Sequence, residues 1–109
     1  MFNDKNENIS HLNKLLKNEL TAINFYYLQS KMIKHWGIEK LSEKFKVEAN
    51  EEMQHAESLM ERIIHFHSAP IMKIDHIIEP EKNIQKIFSK AIELEKEFLE
   101  LSLILLLKL

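Results

Sequence analysis

Glu48-Ala49-Asn50-Glu51-Glu52-Met53-Gln54-His55-Ala56-Glu57 is the stretch on which the reading of this chain turns. Its Glu52-x-x-His55 pattern sets a carboxylate and an imidazole about one helical turn apart, on one face. At about 100° per residue, Glu52 falls near the centre of an apolar stripe of Leu41, Phe45, Ala49, Ala56, Leu59 and Ile63. A carboxylate in a core-facing stripe is expensive unless something positive pairs with it there. Two other stretches do the same. Glu19 stands four residues after Leu15 and four before Ile23, inside the stripe Leu12, Leu15, Leu16, Ile23, Tyr26. Glu95 stands inside Ile84, Phe88, Ala91, Ile92, Phe98, Leu99. Three amphipathic helices, each with a glutamate within its apolar face, describe a bundle built around a polar centre.

The helix boundaries follow from local chemistry. The first helix is predicted from near Asp4, with Glu7 completing a capping-box-like start, to about Trp36, stopping at Gly37, the single glycine. The second covers roughly Glu39 to Phe66, antiparallel to the first across that short turn. Between His67 and Pro80 the periodicity lapses, and Pro70 and Pro80 bracket an Ile-rich run that reads as an ordered crossover with apolar anchors. The third helix is expected to open after Pro80, with Glu81 in its first turn. From Leu101 to Leu109 the chain is apolar on all sides, too short to span a bilayer and in need of burial.

Composition narrows the function. With 109 residues, 45% hydrophobic and 29% charged, one helical domain over 1–109 is expected. A net charge of -2 gives no basic surface for nucleic acid. The absence of cysteine removes disulfides, thiolate sites and cysteine nucleophiles together. The polar N-terminus has no signal-peptide core, and the expected compartment is the cytoplasm, with no membrane partner.

Carboxylates with one imidazole suit Fe(II), Mn(II) or Zn(II). A paired-metal centre needs bridging carboxylates, and Glu52 beside His55 offers a bridge and a terminal nitrogen. Against this stands a structural reading, in which Glu19, Glu52 and Glu95 snorkel or pair with Lys and His. Tyr26 is either a core tyrosine or a donor to a metal carboxylate. Met53, in line with Lys46, Met60 and Ile64, reads on pattern alone as a gap-filling methionine. Glu48 and Glu51 read as rim or solvated residues, and His65, His67 and His76 as solvated loop histidines.

With these residues in view, the chain resembles the bacterioferritin family. The resemblance rests on Asn18 to Asn24 followed by Tyr26, on His35-Trp36-Gly37, on Glu51 to Glu57, on Glu61-Arg62-Ile63, and on a Pro-containing loop into a third helix. It implies an all-α, ferritin-like helical bundle that assembles as a 24-subunit homo-oligomeric cage. It implies a ferroxidase that oxidises Fe(II) with dioxygen or peroxide at a di-iron centre and stores the ferric mineral inside. Carried over, Glu19 ligates one iron, Glu52 bridges, His55 ligates the first iron and Glu95 the second. Met53 becomes the axial ligand of a haem b shared across a two-fold axis, with a ferredoxin-type reductant as a partner in iron release. The chain departs from the family after about Glu97. His76 is its last histidine, so no second Glu-x-x-His follows, and four of the family's six protein ligands are present. Val47 stands where the family often has a histidine, and Lys46 and Asn50 flank Met53 where it is more apolar. The fold expected is therefore three long helices of a truncated four-helix bundle with a crossover loop. The rival function is a non-catalytic haem-binding or helper subunit, or a gene remnant.

Overall fold

Helices α1 (Phe2–His35), α2 (Glu39–His65) and α3 (Ile84–Lys108) carry the fold, and no strand occurs among the described residues. The computed structural model describes the backbone of residues 2–108 and the side chains of residues 6–101 and 103. α1 already begins at Phe2, so the expected Asp4 cap falls inside the helix, and its side chain lies outside the described residues. The C-terminal end matches the glycine signal. Gly37 has φ 86°, its N–H donates to Lys34 O at 2.9 Å, and the Ile38 N–H donates to Ile33 O at 3.2 Å. Those paired bonds close a helix on a left-handed residue. α2 then returns antiparallel, tied to α1 where Ser42 Oγ donates to Ser30 O at 2.8 Å. α2 ends with the same motif on His67, φ 61°, whose N–H donates to Ile64 O at 2.8 Å. A side chain in that conformation costs roughly 1 kcal/mol.

The crossover between α2 and α3 is ordered by one polar stripe of α1. Asn13 Oδ1 accepts from the Ile71 N–H at 2.9 Å, and Thr21 Oγ1 from the Asp75 N–H at 2.8 Å. Gln29 Nε2 donates to Glu79 O at 3.1 Å, while its Oε1 accepts from the Glu81 N–H at 3.2 Å. Lys17 Nζ lies 3.5 Å from Asp75 Oδ1. Asn13, Thr21 and Gln29 are spaced at just over two turns each, so the crossover runs along α1 in its own direction. It therefore delivers α3 antiparallel to α1 and parallel to α2.

α3 departs from expectation twice. It starts at Ile84, not after Pro80, because Asn83 caps it: Asn83 Oδ1 accepts from the Lys86 N–H at 2.9 Å. Glu81 is spent on Gln29 instead. The buried face is also rotated from the predicted stripe, by about two thirds of one residue's 100° step. Ile87 and Leu94 are buried, with Ile84, Ala91 and Phe98 half-buried, whereas Phe88, Ile92, Leu99 and Leu103 are 45–59% exposed. Glu95 consequently stands at the edge of the buried face rather than its centre. Of the apolar tail, only Leu101 and Leu103 have described side chains, and Leu103 is exposed.

Two apolar clusters hold the helices together. One joins Phe25, Tyr26, Ile33, Phe45, Ala49, Ile87 and Leu94, the other Leu12, Leu16, Ile23, Ala56 and Ile63. Tyr26 sits edge-on to both Phe25 and Phe45, centroids 5.5 Å apart in each case. α1 packs on both α2 and α3, while the latter two reach each other only through side chains. The result measures 53 × 21 × 21 Å. No helix among the described residues is long and apolar enough to cross a membrane.

Candidate metal centre

Glu19 and Glu52 interrupt the apolar stripes at the level where the two clusters meet, and their helices face each other there. Both are buried, Glu19 to 1% exposure. His55 sits one turn along α2. Glu19, Glu52 and His55 each offer a ligand atom within 4.8 Å of the others. A span of that size is one that a cation about 2.0–2.5 Å from each ligand can bridge. His55 Nδ1 lies 3.5 Å from Glu19 Oε2 and 3.6 Å from Glu52 Oε2, longer than strong hydrogen bonds. Glu19 Oε2 has no hydrogen-bond partner although it is wholly buried. Neither carboxylate pairs with a lysine or arginine among the described residues.

The electrostatics report the same strain. Burial, then the hydrogen bond to Glu52 and the charges of Glu52 and Glu95, push the Glu19 carboxyl up from 4.5 to about 10. Without a cation the pair holds a proton where a metal ion would place two charges. Tyr26 is pushed up by burial first and then by the charge and hydrogen bond of Glu95. Its hydroxyl donates to Glu95 Oε1 at 2.9 Å while its ring lies in the buried core, an arrangement that both sequence readings of Tyr26 describe.

Glu95 belongs to a second group. Glu48, Glu52 and Glu95 also bring ligand atoms within 4.8 Å of one another, so Glu52 is common to both groups. The four residues singled out from sequence therefore do meet around Glu52. Sequence reasoning placed Glu48 at the solvated rim; it is half-buried, and burial with the charges of Glu51, Glu52 and Glu95 raises its carboxyl. The signal was available, since Glu48 precedes Glu52 by one turn on the same face. Glu51 is exposed, as expected.

His55 is the open side of the centre. Its side chain is 56% exposed, and its ring stacks on Phe98, centroids 6.4 Å apart and 11° from parallel. Both rings line a recess of about 370 Å³ with Leu12, Leu59 and Phe66. Met53 is not a core filler: it is 39% exposed on the flank of α2, near Asn50, whose Oδ1 accepts from the Tyr27 hydroxyl at 3.2 Å.

Buried carboxylates from antiparallel helices, a Glu-x-x-His and a long crossover define a ferritin-like helical protein. The sequence pattern of the ferritin-like domain matches residues 9–103, and the chain belongs to that family. Within it, the resemblance is to bacterioferritins. The bacterial ferritin of Pseudomonas aeruginosa is 37% identical over 90 residues, covering 83% of this chain and 58% of that one. The bacterioferritin of Mycobacterium leprae is 51% identical over 53 residues, 49% of this chain and 33% of that one. That of Mycolicibacterium paratuberculosis is 40% identical over 81 residues, 74% and 43% respectively. The chain thus spans less than two thirds of the length of each of these relatives.

Proposed function

We propose that this chain serves iron storage and detoxification, binding Fe(II) as substrate and contributing to its oxidation to Fe(III) in a ferritin-like assembly. The observation that carries the reading is the buried Glu19–Glu52 pair, with Glu19 Oε2 without a hydrogen-bond partner, the His55 imidazole beside both carboxylates, and no lysine or arginine paired to either among the described residues. Hard carboxylate oxygens and one imidazole match Fe(II) in charge and softness. Glu19, Glu52 and His55 would hold one iron, and Glu95, oriented by Tyr26, would serve a second. Each Fe(II) yields one electron, and dioxygen or peroxide accepts them. Anionic ligands favour the ferric product over the ferrous substrate, which drives the reaction forward. The recess beside His55 offers the way in.

Met53 supports a haem b reading within the same function. Met53, exposed on the flank of α2, would be the residue to hold a haem b, which when bound would supply one-electron transfer. The assembly proposed is the family's 24-subunit cage, with a ferredoxin-type reductant serving iron release.

The test is Fe(II) titration of the chain under argon followed by admission of air, watching ferric-oxo absorbance. Oxidation well above the buffer rate that is lost in Glu52→Ala is the expected result. Oxidation at the buffer rate, with Fe(II) still bound, would favour a non-catalytic, haem-binding or helper subunit. Failure to bind Fe(II) at all would end the proposal.

A further inference from the structure

The carboxylates of the candidate centre are fixed by burial or by a hydrogen bond, but its imidazole is not. Glu19 and Glu52 are buried, and Glu95 accepts from the Tyr26 hydroxyl at 2.9 Å. The His55 side chain is 56% exposed, so α2 by itself leaves the ring free to take several orientations. A metal-ligating imidazole is ordinarily oriented from outside, by a carboxylate or carbonyl that accepts from its second nitrogen. No such acceptor faces His55 Nε2 among the described residues. What stands against the ring is Phe98 of α3. The two rings lie 11° from parallel with centroids 6.4 Å apart, within the range of offset aromatic pairs. Phe98 follows the buried Leu94 by one turn and carries that row to the edge of the core, where it meets α2. A leucine there could line the recess with Leu12, Leu59 and Phe66 as well as a phenylalanine does. Stacking on an imidazole requires a flat ring.

We propose that Phe98 is a positioning residue for His55, its ring face holding the imidazole in the orientation that turns Nδ1 toward Glu19 and Glu52. This rests on reading Glu19, Glu52 and His55 as a cation site. Nδ1 already lies 3.5 Å from Glu19 Oε2 and 3.6 Å from Glu52 Oε2, so the stacked ring is close to the arrangement a shared cation needs. Phe98 offers no donor atom. It acts by ordering the imidazole before the ion arrives, so that binding no longer has to immobilise that side chain. Such ordering is worth roughly threefold to tenfold in affinity. α3 thereby governs a ligand that belongs to α2, through a ring contact alone.

The experiment compares the parent chain with Phe98→Leu and Phe98→Tyr in two measurements. The first is Co(II) titration, following the tighter binding event by its d–d absorbance. Phe98→Leu should weaken it threefold to tenfold, and Phe98→Tyr, which keeps a flat ring, should stay within about twofold of the parent. The second is proton–carbon correlation NMR of the metal-free chains, in which the His55 ring signals should shift in Phe98→Leu through loss of the neighbouring ring current and move little in Phe98→Tyr. Matching helical circular dichroism shows that folding is unchanged. Equal Co(II) affinity in the parent and Phe98→Leu overturns the positioning role and leaves the cation site standing. So does a loss of affinity that Phe98→Tyr fails to restore, or one that leaves the His55 signals unmoved. No Co(II) bound by the parent overturns the site itself, and with it the proposed function.

Discussion

Glu19→Gln should make the metal-free chain more stable at neutral pH. In the folded chain the Glu19 carboxyl is pushed up from 4.5 to about 10, burial being the largest cause. Between those limits the folded state binds a proton that the unfolded state has released. Stability is therefore greatest below pH 4.5, falls as pH rises, and has lost this contribution by about pH 10. At pH 7.5, keeping the proton on costs on the order of 4 kcal/mol, at about 1.4 kcal/mol per unit. Glutamine is neutral at every pH and still donates toward Glu52. After the desolvation of its own amide, the net gain should be about 1–3 kcal/mol. On a chain of this size that is a rise in Tm of roughly 10 °C. The assay is urea unfolding followed by circular dichroism at pH 5, 7.5 and 9, with chelator present. The parent should weaken steadily with pH and the variant much less. Added Co(II) should reverse the order, stabilising the parent more, because the variant lacks one anionic ligand. Equal pH slopes in the two chains, or a variant less stable than the parent at pH 7.5, would refute the assignment of Glu19 as a strained, cation-seeking carboxyl.

Tyr26→Phe removes the 2.9 Å donor to Glu95 but keeps both edge-on ring contacts, so it should cost at most about 1 kcal/mol in stability. Fe(II) oxidation should nevertheless slow severalfold in stopped-flow measurements, through a misplaced Glu95; an unchanged rate would remove Tyr26 from the site. Gln29→Ala deletes both anchors at the end of the crossover, to Glu79 and Glu81, from a wholly buried position. It should lose about 2–3 kcal/mol and speed proteolytic cleavage at Lys73. A midpoint within experimental error of the parent would show the anchors to be dispensable. Haem titration should give a Soret band at one haem per two chains, abolished by Met53→Leu, and a band that survives that change would place the haem elsewhere.

Within each helix, the sequence was a reliable guide, because a helix's period is set by its own backbone. The stripes of α1 and α2, the Gly37 reversal, and the burial of Glu19 and Glu52 could all be read one residue after another. Glu52 and His55 share a face for the same reason. What no single helix settles is how far it is rotated against its neighbours. α3 carries two adjacent apolar rows, Ile87–Leu94 and Phe88–Ile92–Leu99, and its own periodicity favours neither. The bundle buried the first, since Phe25, Tyr26 and Phe45 of α1 and α2 offered it a matching surface. That rotation moved Glu95 to the edge, within reach of Tyr26 and Glu48. The Asn83 start of α3, and the grip of Asn13, Thr21 and Gln29 on the crossover, depend on partners some 50 residues away or on competition between neighbouring caps. Helix period fixed which side of each helix is apolar, whereas the ligand set around Glu52 had to wait for three helices to choose their rotations together.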